Sequence, residues 1–337
     1  MPTRGARELS ASAYPPLLAS LVVALLGASA PAPAEDPQDQ AKIPARTPFI
    51  RVLGTAQDGG LPHAACSCDR CSLARKDPES RRRIASLALV LPSSDQIYLI
   101  DATPDLRQQL AALRDLRQPP DDRVDRHPVD GVFLTHAHIG HYLGLAFFGY
   151  EAIHTRGLPV LATPKMATFL RANGPWSQLV GMQNIRLHEL APNQTHSPGD
   201  QIVVTAIQAP HRDEYADTLG FLMAGPGRTI FYLPDTDSWV AWATPVTELL
   251  EKVDIALLDG TFYSADELPG RQVEEIGHPL IEQSMDLLQR LVDDQGLQVY
   301  FTHLNHSNPA LDPHGGQRQR IESRGFHILE EGQEFSF

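Results

Sequence analysis

An α/β architecture, with β-sheets covered by helices, is what the hydrophobic pattern of this chain predicts. Short apolar runs bounded by turn residues outnumber the stretches with helical spacing. Those helical stretches nevertheless fall in both halves of the chain rather than in one block. At 337 residues and 42% hydrophobic, the chain can bury a full core in one large domain or two small ones.

The chain opens on a targeting pattern. Arg4 and Arg7 give a basic start, and Leu17 to Ala30 is a short apolar run. Ala32-Pro33-Ala34 then supplies small residues spaced for cleavage. Residues 1–34 therefore read as a signal peptide, which implies a periplasmic or secreted protein. An uncleaved anchor is the alternative, but the run falls short of the roughly 20 apolar residues a span needs. After signal removal no stable membrane insertion is expected. Residues 35–47, polar and rich in Pro and Ala, read as a disordered tail or linker. The folded domain is expected over 48–337.

Within that domain, Phe49 to Leu53 reads as a strand followed by a Gly-rich loop. Ala85 to Leu91 and Gln96 to Asp101 flank the turn Pro92-Ser93-Ser94-Asp95 and predict a hairpin. Leu106, Leu110, Leu113 and Leu116 predict a helix over Asp105 to Leu116, opened by Thr103 or Pro104. Gly131 to Thr135 reads as a buried strand. Further strands are expected at Pro159 to Ala162, Ile202 to Ala206, Leu219 to Met223, Thr229 to Leu233, Asp254 to Leu258 and Val299 to Thr302. Leu280, Ile281, Met285, Leu288 and Leu291 mark an amphipathic helix before the last of these.

A formal net charge of −13 disfavours general nucleic-acid binding, because an acidic surface repels phosphate backbones. The most informative stretch is Thr135-His136-Ala137-His138-Ile139-Gly140-His141, directly after an apolar strand. His136 and His138 project together if the strand continues, since side chains repeat with period two. Neutral imidazoles converging at a strand end suit a metal.

The stretch resembles the H-x-H-x-D-H signature of metallo-β-lactamase-fold hydrolases, with Gly140 where that superfamily has Asp. His211 before Thr218-Leu219-Gly220-Phe221, Asp235 after Phe231-Tyr232-Leu233-Pro234, and His303 after Val299 to Thr302 resemble the remaining landmarks in order. The resemblance implies a four-layer αββα sandwich. It implies one metal on His136, His138, His211 and Asp235, and a second on His141, His303 and the shared Asp235. With Gly140 in place of a carboxylate, the second set is expected to be weaker, empty or differently occupied. One or two ions are thus expected, zinc or alternatively iron or manganese.

Cys66-Ser67-Cys68-Asp69-Arg70-Cys71 holds all three cysteines of the chain. The C-x-C-x-x-C spacing suits three thiolates around a tetrahedral structural zinc. A disulfide with one thiol left over is the alternative in an exported protein. The run from Leu53-Gly54-Thr55 to Cys71 is similar to the pyrroloquinoline quinone biosynthesis protein B branch and to the cyclic phosphodiesterases of the phosphonate pathway. Asp101-Ala102-Thr103-Pro104-Asp105-Leu106-Arg107, Leu258-Asp259-Gly260-Thr261 and Asn305-His306-Ser307-Asn308-Pro309 extend the likeness. By that resemblance His306 completes the structural zinc site.

The function expected is metal-assisted hydrolysis of a small, anionic substrate, a phosphodiester or other ester. His278 resembles a histidine that assists catalysis in the phosphodiesterase and tRNA-processing relatives, so His278 and Asp235 are the expected catalytic residues. Asp259 is expected to support the site from outside the metal shell. Arg212 could orient an anion or simply face solvent. The quinone-biosynthesis likeness leaves an iron-dependent oxidative enzyme as the alternative, and the Gly140 departure leaves a non-catalytic metal or ligand carrier. The oligomeric state stays open, a dimer included.

Overall fold

The computed structural model describes residues 47–117, 126–268, 270 and 277–337. The expected signal peptide and all of the expected tail but Thr47 lie outside the described residues. Two mixed sheets form the centre. In the first, strands Glu334–Ser336, Phe49–Gly54, Ser86–Leu91, Gln96–Ile100, Gly131–Phe133, Leu158–Ala162 and Ile185–Glu189 lie side by side in that order. In the second the order is His327–Ile328, Gln298–Thr302, Ile255–Asp259, Thr229–Leu233, Thr218–Ala224, Ile202–Ala209 and Thr195–Gly199.

The strand sequences explain why the sheets stack. In Ser86–Leu91, Leu87, Leu89 and Leu91 enter the core between the sheets, while Ala88 and Val90 face the other way. In Thr229–Leu233, Ile230 and Tyr232 enter that same central core, and Phe231 and Leu233 point outward under helices. Both sets obey the period-two rule of a pleated strand. Because both faces are buried, these strands read as continuous apolar runs rather than as an alternation.

Helices close the two outer faces. Leu106, Met166, Leu170 and Leu179, from helices Leu106–Ala111, Pro164–Ala172 and Trp176–Gly181, pack on the first sheet. Ile281, Met285, Leu288 and Leu291, spaced along helix Ile281–Gln295, pack on the second. That helix stops where Gly296 takes a left-handed conformation at φ 73°. The result is the four-layer αββα sandwich that the resemblance implies.

Two elements differ from expectation. The helix expected through Leu116 keeps helical geometry only to Ala111. Beyond it, backbone bonds such as Leu113 N–H to Leu110 O and Leu116 N–H to Leu113 O span three residues, so the segment tightens into turns. The strand expected through Thr135 ends at Phe133. Short or polar pieces were not foreseen, among them the helix Asp69–Lys76 and the edge strands Thr195–Gly199 and Glu334–Ser336.

Parallel pairing sets where the site forms. Gln96–Ile100 runs parallel to Gly131–Phe133, and Thr229–Leu233, Ile255–Asp259 and Gln298–Thr302 run parallel to one another. Their carboxyl ends deliver Asp101, the Thr135-to-His141 segment, Asp235, Asp259 and His303 to one edge of the sandwich, where the tilted rings of His141 and His303 lie 5.3 Å apart. Ligand sites gather at such carboxyl ends in α/β sheets.

The inter-sheet core should dominate stability. Phe133 and Phe221 come from opposite sheets, are fully buried, and lie 5.4 Å apart edge to face. Phe221→Ala is expected to lower the unfolding free energy in urea by about 3–5 kcal/mol, and Phe221→Leu by clearly less.

Candidate metal centres

Asp101 organises the histidine segment. Its buried carboxylate accepts the Thr135 backbone N–H at 2.8 Å and the Thr135 hydroxyl at 2.8 Å. With its proton committed to Asp101, the hydroxyl oxygen can accept from His136 Nδ1 at 2.9 Å. That tautomer leaves the His136 Nε2 lone pair facing inward. His138 then stands just before the short helix Ile139–Tyr142, with Nδ1 2.9 Å from His136 Nε2. The two rings therefore converge through a loop-to-helix turn, not through the pleat of a continuing strand. On its far side, His138 Nε2 lies 3.4 Å from the exposed Glu214 carboxylate.

His211 follows the strand Ile202–Ala209. Its Nδ1 meets Asp237 Oδ1 at 2.9 Å, which places the proton there and turns Nε2 inward. That Nε2 lies 3.2 Å from His138 Nδ1 and 3.1 Å from Asp235 Oδ1. Asp235 Oδ2 is 3.2 Å from His136 Nε2 and 3.7 Å from His138 Nδ1. Tetrahedral N/O ligands at about 2.0–2.1 Å from a cation sit about 3.3–3.4 Å from one another. The separations here, 2.9 to 3.7 Å, bracket that value. The structure thus gathers His136, His138, His211 and Asp235 into a group able to hold a metal.

A second group adjoins it. His141 Nδ1 meets Asp101 Oδ2 at 2.7 Å, and His303 Nδ1 meets the Thr261 hydroxyl at 2.9 Å. Both Nε2 atoms are thereby aimed into the site, where neither has a hydrogen-bond partner. Asp235 Oδ2 lies 4.0 Å from each of them, so this carboxylate stands between the two groups. The third member is Asp58, from the Gly-rich loop after the first strand. Its Oδ1 is 3.3 Å from His141 Nε2 and 3.6 Å from His303 Nε2, and is likewise buried and unpartnered. Orphaned polar atoms of this kind are costly unless something charged meets them. Asp101 and His303 both adopt positive φ, 68° and 60°, a strained backbone that clusters at functional sites.

The electrostatics fit cation binding. Burial opposes ionisation of Asp235, but the surrounding imidazoles hold its carboxyl well below the usual range. Burial, with the neighbouring charge of His141, pushes His136 well below an ordinary imidazole, keeping it neutral. At His141 burial again disfavours the charge, but Asp101 and Asp58 override it and raise its pKa well above the usual value. An incoming cation would displace that proton.

His278 sits at the rim. Its Nδ1 faces Asp259 Oδ2 at 2.9 Å and Asp235 Oδ1 at 3.2 Å. Burial works against its charge, yet the two carboxylates prevail and raise it to about 9. Asp259 also accepts from Thr236 N–H and from the Thr261 N–H and hydroxyl, which fixes its orientation. Arg212 is exposed and pairs outward with Glu214 at 3.6 Å.

At the other cluster, His306 Nδ1 lies 3.7 Å from Cys66 Sγ, 3.9 Å from Cys68 Sγ and 3.6 Å from Cys71 Sγ. Zinc with sulfur at about 2.3 Å and nitrogen at about 2.0–2.1 Å would set those separations at about 3.6 Å. All three cysteines are free of disulfides. Every site residue read from the sequence therefore falls in one of these groups or directly beside them. Sequence reasoning missed Asp58, Asp101 and Asp237 as site residues, since a lone Asp in a loop or after a strand reads as a turn former.

A family model described as Beta-lactamase superfamily domain matches residues 96–304. Coenzyme PQQ synthesis protein B of Methylorubrum extorquens is 26% identical over 306 residues, covering 84% of this chain and 98% of that protein. The crystal structure of Zn(2+)-bound PqqB from Methylobacterium extorquens is similar with a TM-score of 0.72 at 24% identity, covering 86% of this chain and 100% of the other. A diphosphatase from the PhnP family is similar with a TM-score of 0.61 at 22% identity, covering 87% and 98%.

Two outcomes follow from this geometry. Asp101→Asn should weaken metal binding at the His141 group about 10–100-fold by calorimetric titration, because the carboxylate that fixes His141 is lost. At the cysteine cluster, burial pushes the Cys71 thiol up to about 11, so metal binding must displace its proton. Zinc affinity there should fall by at least about tenfold for each pH unit below neutrality, read by competition with a chromophoric chelator.

Proposed function

Since the chain belongs to the Beta-lactamase superfamily domain family, we propose that it is a metal-dependent hydrolase of a small ester, foremost a phosphodiester. The observation that carries this reading is the convergence of His136, His138, His211 and Asp235, each within ligand distance of the others. His136, His138, His211 and Asp235 would hold one metal ion. When bound, a metal supplies Lewis acidity and brings the pKa of a water towards about 7, which makes it nucleophilic.

The chain's own groups supply the rest. Asp237 and Thr135 hold the His211 and His136 rings in the tautomers that present Nε2. Asp259 and Asp235 engage His278 at Nδ1 and favour its charged form, which places a second proton on Nε2. A protonated imidazole at the rim, with about 18% of its side chain exposed, can pass that proton to a departing alkoxide. The cysteine cluster with His306 would hold a structural zinc that ties the loop after the first strand to the segment after His303. The presence of zinc in the similar PqqB structure and the name of the PhnP-family diphosphatase lend support. Export is part of the reading on the strength of residues 4–34. No helix among the described residues is long and apolar enough to cross a membrane.

One observation favours a second reading, an iron-dependent oxidative enzyme: the similar proteins are named for coenzyme PQQ synthesis, and a His/carboxylate set also suits iron. Metal analysis of anaerobically purified protein, followed by oxygen-uptake measurements, separates the two.

The deciding experiment is turnover of bis(p-nitrophenyl) phosphate and a panel of related esters by the zinc- or manganese-loaded chain. Activity should vanish on chelation and return with metal. His278→Ala should lower kcat by about 10²–10⁴-fold with metal content unchanged. Fully loaded protein that turns over no ester, with His278→Ala indistinguishable from wild type, would defeat the hydrolase reading.

A further inference from the structure

The Gly-rich loop after the first strand carries the observation. Asp58 belongs to Gln57-Asp58-Gly59-Gly60, and this loop is docked beside His303. Gln57 N–H donates to Leu304 O at 3.0 Å, and Leu304 N–H donates to Thr55 O at 2.9 Å. Ala56 bridges both Ile84 and Leu304 in parallel. The backbone on either side of His303 and Asp58 is therefore tied together, and the Asp58 carboxylate is held against His141 and His303 rather than left to wander.

A steric fact links this loop to the histidine segment. A Cβ built on Gly140 would lie 2.0 Å from Asp58 Oδ1 and 2.8 Å from Asp58 Cα. The second atom is backbone, so the clash cannot be relieved by rotating a side chain. A side chain at position 140 and Asp58 in its present place are mutually exclusive. Only glycine admits this loop.

Three unsatisfied atoms meet there: Asp58 Oδ1, His141 Nε2 and His303 Nε2. Asp58 Oδ1 is 3.3 Å from the first imidazole nitrogen and 3.6 Å from the second, close to the spacing about a common cation. Asp235 Oδ2 completes the set from 4.0 Å. We propose that Asp58 is the carboxylate ligand of a second divalent transition-metal ion, shared with His141, His303 and Asp235, and that Gly140 is the space this ligand requires. The carboxylate absent from position 140 is thus supplied from a different loop, and the two positions form a compensating pair. The donor set, two imidazoles and two carboxylates, suits zinc, manganese or iron.

This inference rests on the reading that the His136 group holds a metal, and the test separates the two. Zinc is the probe, and the readout is zinc per chain by mass spectrometry after equilibration and desalting of the full chain. The wild type should hold one zinc on the cysteine cluster and two at the active site. Asp58→Ala should lose one of these and weaken that binding by more than about 100-fold, beyond what an outer hydrogen-bond partner costs. His136→Ala should lose the other, independently. Gly140→Asp alone should bind poorly or unfold, because two carboxylates claim one space. Gly140→Ala, which adds only the Cβ, should displace Asp58 and cost the same ion as Asp58→Ala. Asp58→Asn, nearly the same shape, serves if the alanine variant does not fold.

Asp58→Ala or Asp58→Asn retaining the wild-type count and affinity would overturn the assignment while leaving the hydrolase reading intact. A wild type whose active site takes up only the ion that His136→Ala removes would do the same. A Gly140→Ala variant that keeps the wild-type count and affinity would overturn the claim that position 140 must be empty for Asp58 to bind. A wild type with no zinc beyond the cysteine cluster would overturn both readings together.

Discussion

A carboxylate buried among imidazoles is the constraint around which this edge of the protein is arranged. Asp235 is only 2% exposed, and nitrogens of five histidines, His136, His138, His141, His211 and His303, face it within 4.0 Å. A sixth, His278, reaches Oδ1, the oxygen that His211 also faces, at 3.2 Å. Burying a charge costs several kcal/mol unless it is well compensated. The charge on His278 supplies part of that compensation, but a neutral ring that presents its lone pair, as His136 does, supplies none. A cation between the rings resolves the conflict, which is why electrostatics and ligand chemistry point the same way here.

The fold makes the arrangement rigid. The parallel strands end together, so residues remote in sequence arrive on one edge without long loops. Behind the rings stands a layer of fixed partners: Asp101 for His141, Asp237 for His211, Thr135 for His136, and Thr261 for His303. Each selects one tautomer and one ring plane. The cysteine cluster serves the same end from outside, since His306 lies three residues beyond His303 and joins that segment to the loop that carries Asp58.

Much of this was legible in the chain. The central strands announce themselves as uninterrupted apolar runs because both faces are buried, and helix Ile281–Gln295 because one face is. His136, His138, His211, Asp235 and His303 could be picked out because they follow such runs in order. The polar edge strand Thr195–Gly199 and the helix Asp69–Lys76 lack a periodic apolar face, so pairing and the neighbouring cysteine loop decide them, and periodicity does not. Asp58 was illegible for a different reason. Its partner in space is a glycine far along the chain, and a missing side chain leaves no signal of what fills its place. Gly140 read as a loss, whereas the coordinates show it as room for another residue's carboxylate.

The rings around Asp235 enclose a space shaped for cations. A crystal of the zinc-loaded protein, with anomalous difference maps collected on both sides of the zinc edge, tests that directly. A peak is expected equidistant from His136 Nε2, His138 Nδ1 and His211 Nε2, with Asp235 as the fourth neighbour and the cysteine cluster as an internal reference. Density at the cysteine cluster alone, with the imidazoles around Asp235 hydrogen-bonded to one another or to water, would contradict it.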